Sequence, residues 1–113
     1  MAVTDAVIEE RARLAVRSLS RTAKVTMAYL FGSHIEGTAD RYSDIDLGVF
    51  IEGLESWDLL KMARTSAQVQ KEVGDDVEFH YFPARALSNP EPASFAAFVI
   101  RHGKPISVEA SAT

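Results

Sequence analysis

An α/β domain, with helices packed on a small mixed sheet of three or four strands, is the fold class this sequence predicts. Three observations carry that reading. Short β-branched and aromatic runs alternate with stretches of helical spacing. Glycine or proline closes most of these segments. The resulting order is helix, strand, loop, strand, helix, strand, helix, which suits helices layered on a sheet.

The first helix is expected from Asp5 to about Ser20, where Ile8, Ala12, Ala15, Val16 and Leu19 recur at helical spacing. Thr4 or Asp5 is available as its N-cap. Arg11, Arg13, Arg17 and Arg21 fall mostly on the other side and read as a solvated surface. Lys24 to Phe31 reads as a buried strand, ended by Gly32-Ser33. After a loop through Gly37, Asp40 and Ser43, a second strand runs from Asp44 to Ile51, and Gly53 closes it. Trp57 to Val73 is expected to be helical, with Leu60, Ala63, Ala67 and Val69 inward, Trp57 anchoring its start and Gly74 beyond its end. Val77 to Phe82 alternates like a third strand that Pro83 stops. Pro92 to His102 is the last helix, and Gly103 follows it. Phe79, Tyr81, Phe95 and Phe98 are assigned to the core, with any exposed remainder free to pack a partner helix.

The 113 residues are expected to form one domain, residues 1–113, with a frayed tail after about residue 107. A formal charge of −4 disfavours a nucleic-acid surface, which normally needs a basic face, but leaves room for a phosphorylated ligand that arrives with a metal. The absence of cysteine excludes disulfides, thiolate metal sites and a cysteine nucleophile. Nothing resembles a signal peptide, and no apolar run approaches the roughly 20 residues that span a bilayer, so a cytoplasmic location is expected.

The informative stretch is Gly32-Ser33, ten residues, then Asp44-Ile45-Asp46. Side chains at i and i+2 of a strand share a face, so Asp44 and Asp46 project together. Two adjacent carboxylates repel unless a cation neutralises them, and Mg²⁺, which prefers oxygen and is commonly held by carboxylates and substrate phosphates, suits that role. Gly32 lets the backbone turn sharply and a ligand come close; a helical turn starting at Ser33 would face an anion with free N–H groups. Glu78, a charge between apolar Val77 and Phe79, is the expected third acid, giving a two-metal site; Asp76 and Asp75 are competitors for that place.

LFGS, nine residues, SDIDL and a later acid between apolar residues together resemble the minimal nucleotidyltransferases of the DNA polymerase β superfamily. The likeness runs from the first strand to PASFAAFVIRHGKPI, which is similar to that family's closing helix-glycine-strand segment. The resemblance implies that Gly32 and Ser33 bind the triphosphate of ATP or another NTP. It implies that Asp44 and Asp46 ligate Mg²⁺ and that Glu78 is the third catalytic acid. It further implies transfer of a nucleoside monophosphate, often AMP, to a hydroxyl. In small members of the family the acceptor is often a HEPN-domain toxin, which the transferase counters as an antitoxin. Two departures stand out: His34-Ile35-Glu36 replaces the basic residues many relatives carry after the serine, and the third acid is Glu rather than Asp. Arg41, a candidate phosphate contact, Lys104 or the metals would then supply the missing positive charge.

The remaining candidates have plainer readings. His80 shares the face of Glu78 and reads first as a structural histidine; His34 reads as a loop residue beside the phosphate bend. Ser43 orders the turn into its strand rather than serving as a nucleophile, since no His–acid partner accompanies it. The alternative to catalysis is a binding module that neutralises a partner by contact. Base preference, acceptor and oligomeric state stay open.

Overall fold

The computed structural model describes residues 6–39 and 43–108. Along the chain come α1 (Ala6–Leu19), β1 (Val25–Phe31), α2 (Ser33–Glu36), β2 (Ile45–Ile51), α3 (Leu59–Val73), β3 (Val77–Pro83), α4 (Phe95–His102) and β4 (Lys104–Ile106). The expected order holds, with the short α2 directly after Gly32 and the closing strand β4 completing it. The N-cap candidates Thr4 and Asp5, and the tail beyond residue 108, lie outside the described residues.

The strands form one mixed sheet in the order β3-β2-β1-β4. β1 runs antiparallel to β2 and β4, whereas β2 and β3 are parallel. A parallel pair cannot be closed by a tight turn, and α3 makes the crossover between its members. Alternation along β2 then sorts the side chains. Ile45, Leu47, Val49 and Ile51 join Ala28, Leu30, Val77 and Phe79 in a core that also holds Ala12, Val16 and Leu19 of α1 and Val69 of α3. Tyr29, Phe31 and Phe50 join Ala96 and Val99 of α4 in a second core. Gly48 makes the second packing close: a Cβ there would lie 2.7 Å from Cγ1 of Val99, so only glycine lets α4 settle onto this strand. Asp46, in alternation with Gly48 and Phe50, belongs to the α4 side of the sheet.

Three expectations require correction. α3 begins at Leu59 rather than Trp57 because Asp58 is its N-cap, with an extended backbone (φ −96, ψ 177) and a carboxylate that accepts from the Lys61 N–H at 2.8 Å. For the same reason α4 begins at Phe95 rather than Pro92: Ser94 is extended (φ −81, ψ 162) and its Oγ accepts from the Ala97 N–H at 3.1 Å. The inward face of α3 also departs from the expected one, except at Val69. Leu60 is 55% exposed and Ala63 and Ala67 are exposed, while Met62, Val69 and Val73 pack inward and Ser66 hydrogen-bonds Tyr81. α3 carries two overlapping apolar patterns, and contact with α1 and β3 selects between them. Trp57, just ahead of the cap, does anchor that end: its ring lies 5.7 Å from Tyr81 and under Lys61 Nζ.

Candidate active site

The site is built where β1 ends beside the start of β2. Phe31 pairs with Asp46, and Asp46 pairs in parallel register with Glu78, so adjacent strands carry both acids at the same level of the sheet. His80 follows two residues after Glu78 and shares its face. The three converge: one ligand atom from each of Asp46, Glu78 and His80 lies within 4.8 Å of the others. His80 Nε2 is 3.2 Å from Asp46 Oδ1 and 3.9 Å from Glu78 Oε2. The Asp46 and His80 side chains are mostly buried, at 23% and 25% exposure, whereas Glu78 at 54% faces the opening.

Gly32 forms the opposite wall. Its backbone (φ 84, ψ −152) lies in a region that L side chains rarely adopt. The conformation therefore favours glycine, and a Cβ at this position would lie 2.6 Å from Asp46 Oδ2 and push that carboxylate aside. The chain then turns at once into α2, where the Ile35 and Glu36 amides return to the Gly32 carbonyl at 3.0 Å. The earlier amides of that turn, on Ser33 and His34, precede the first intrahelical bond and are the groups an anion would meet. A phosphate-sized ligand at Gly32-Ser33 would therefore sit next to the carboxylates.

Asp76 stands apart from this cluster, and the structure shows why. The guanidinium of Arg11 on α1 grips it with two hydrogen bonds, at 2.7 and 2.6 Å, and also donates to the Val73 carbonyl at 2.6 Å. Those bonds hold the Asp76 carboxyl below its ordinary range, against an opposing push from burial. Arg11 is thus a tie between α1 and the start of β3, not the solvated charge its helical position suggested. Lys104, a candidate for offsetting phosphate charge, pairs instead with Glu9. Asp44 is exposed just ahead of β2 and is not one of the three converging residues. Arg41 lies outside the described residues. His34 is half-buried on α2 with a buried Nε2 that has no hydrogen-bond partner among the described residues, and Ser43 is half-buried ahead of β2.

Two residues gain importance that the sequence did not give them. His80 was read as structural and lies within the acidic cluster. Phe95 was assigned to the core, yet it is 48% exposed at the start of α4, its ring 5.6 Å from Phe31 and 5.5 Å from His80. The i, i+2 relation to Glu78 was the available signal for His80; nothing in the pattern around Phe95 distinguished it from Phe98.

With this geometry in place, comparison with known proteins decides the family. Residues 15–110 match the family described as "Polymerase beta, Nucleotidyltransferase". The chain belongs to the polymerase beta nucleotidyltransferase family. No curated protein matches it. Among solved structures, it resembles a chain of "Crystal structure of the toxin-antitoxin with AMP-PNP", with 24% identity and a TM-score of 0.60 over 90% of this chain and 74% of that one. At that identity the likeness concerns the fold. For a polymerase beta nucleotidyltransferase the donor set is chemically apt: two carboxylates on adjacent strands are suitable oxygen ligands for a divalent cation, beside a bend a phosphate can approach.

Proposed function

We propose that this chain transfers a nucleoside monophosphate, AMP in the first instance, from a triphosphate to a hydroxyl acceptor, with Mg²⁺ held by Asp46, Glu78 and Asp44. One observation supports the reading above all others: Asp46 is at once in register with Glu78 and in contact range of the Gly32 bend, so cation and phosphate sites adjoin. Asp44 enters through its i, i+2 relation to Asp46, and Arg41 remains a candidate for the triphosphate. Gly32 and Ser33 hold the phosphates and orient the α-phosphorus. The exposed Glu78 receives the proton of the incoming hydroxyl. The new bond joins the acceptor oxygen to the α-phosphorus as the α–β bridge breaks, and pyrophosphate leaves. A bound divalent cation supplies charge neutralisation for the phosphates and lowers the pKa of the attacking hydroxyl.

A protein acceptor, specifically a tyrosine of a HEPN-type toxin, is our reading of the biological role. Its support is the family resemblance and the toxin–antitoxin complex among structures of the same fold. The test is transfer of label from α-labelled ATP to a co-expressed toxin in Mg²⁺. Asp46→Asn should lower transfer by about 100-fold or more, since several kcal/mol of transition-state stabilisation rest on the bound cation. A second reading, neutralisation by contact alone, is favoured by the exposed Leu59 and Leu60 on α3. An Asp46→Asn protein that labels nothing yet still silences the toxin would decide for contact and against catalysis.

A further inference from the structure

We propose that His80 is itself a metal ligand, making the centre a mixed carboxylate–imidazole site that holds Mn²⁺ in preference to Mg²⁺. The inference rests on the reading of Asp46 and Glu78 as the cation site, and adds a property that three carboxylates alone would not have.

The first argument is position. His80 Nε2 is directed at both acids, 3.2 Å from Asp46 Oδ1 and 3.9 Å from Glu78 Oε2. Donor atoms on neighbouring vertices of an octahedron with bonds of about 2.1 Å are about 3 Å apart, so these spacings need little adjustment to share one ion. The second argument is rigidity. The imidazole is wedged between Phe31, at 5.1 Å and 64°, and Phe95, at 5.5 Å and 89°. Gly48 is its neighbour in register on β2 and contributes no side chain beside it.

Donor chemistry then sets the preference. Mg²⁺ selects oxygen and gives up its waters reluctantly, so an imidazole adds little to its binding. Mn²⁺ accepts carboxylate oxygen and, like the later ions of the series, gains from a nitrogen donor. One imidazole among the ligands therefore separates two ions that an all-carboxylate site would treat more alike.

The test needs no nucleotide and no acceptor. Mn²⁺ and Mg²⁺ affinities are measured by titration calorimetry on the wild type, His80→Asn, His80→Asp and Asp46→Asn, with circular dichroism to confirm folding. The Mn²⁺ complexes are then examined by pulsed EPR for coupling to ¹⁴N. We expect nitrogen coupling in the wild type that His80→Asn abolishes, with Mn²⁺ affinity falling about 10-fold or more and Mg²⁺ affinity changing far less. His80→Asp should equalise the two ions by restoring an oxygen donor. The proposal is overturned if the wild type shows no nitrogen coupling, or if both ions weaken equally in His80→Asn, which is the result for a residue that merely positions Asp46. In either case Mn²⁺ and Mg²⁺ binding that is lost in Asp46→Asn would leave the carboxylate site standing. A wild type that binds neither ion would remove both.

Discussion

Asp76 and Glu78 pose the question the chain order left open: which acid joins Asp46 at the candidate site. Both satisfy the i, i+2 rule for a shared face, but Arg11 captures Asp76 outside the start of β3, while Glu78 lies in register with Asp46. The Arg11 pair has its own pH signature. Its hydrogen bonds hold the Asp76 carboxyl below the usual value, so its stabilisation is fully present above the unfolded pKa near 3.8 and is lost as pH falls through the lower folded value. Urea unfolding of wild type should therefore lose stability below about pH 4, and Asp76→Asn should lose less over the same range. Because water still reaches both partners, removing the pair at pH 7 should cost only about 1 kcal/mol. Equal acid sensitivity in the two proteins would mean that the pair contributes nothing to it.

Among elements, α4 and α3 make contrasting demands. α4 depends on the bare strand position Gly48, where a methyl would meet Val99 at 2.7 Å. Gly48→Ala should cost about 1–3 kcal/mol through overpacking. Val99→Ala, destabilising alone, should recover part of that loss when combined with it, a coupling that a double-mutant cycle reads directly. An additive pair would exclude this contact as the cause. α3 has an inward row through Val69 and an outward one through Leu60. Val69→Ala is expected to cost about 2 kcal/mol, and Leu60→Gln to stay within about 0.5 kcal/mol in thermal unfolding. The helix boundaries follow the same local physics: Asp58 and Ser94 begin their helices late because a capping residue must itself stay extended.

Across the whole fold, the sheet order puts the ends of β1, β2 and β3 together and so brings the candidate site's residues together from far apart in the chain. A ligand bound to folded chain alone raises apparent stability by mass action, so this assembly is measurable without catalysis. Mg²⁺ with a non-hydrolysable ATP analogue at about 100 times its Kd should add about 2.7 kcal/mol to the unfolding free energy. Asp46→Asn should lose that increment while keeping the fold. An undiminished ligand shift in the variant would separate nucleotide binding from the carboxylates.

Local chemistry made much of this protein legible in its sequence. Strand runs, helical spacing and glycine stops located the elements, and GS, ten residues, DID pointed to the candidate site, because a sharp bend and paired acids are properties of neighbouring residues. Asp46, Glu78 and the Gly32 bend do meet, whereas Asp44, ahead of β2, is not among the converging residues. Tertiary structure alone decided which acid Arg11 removes, which apolar row of α3 is buried, and that His80 and Phe95 lie beside Asp46 at the candidate site. Each of those depends on a partner from another strand or helix, and periodicity along one segment carries no information about what lies across from it.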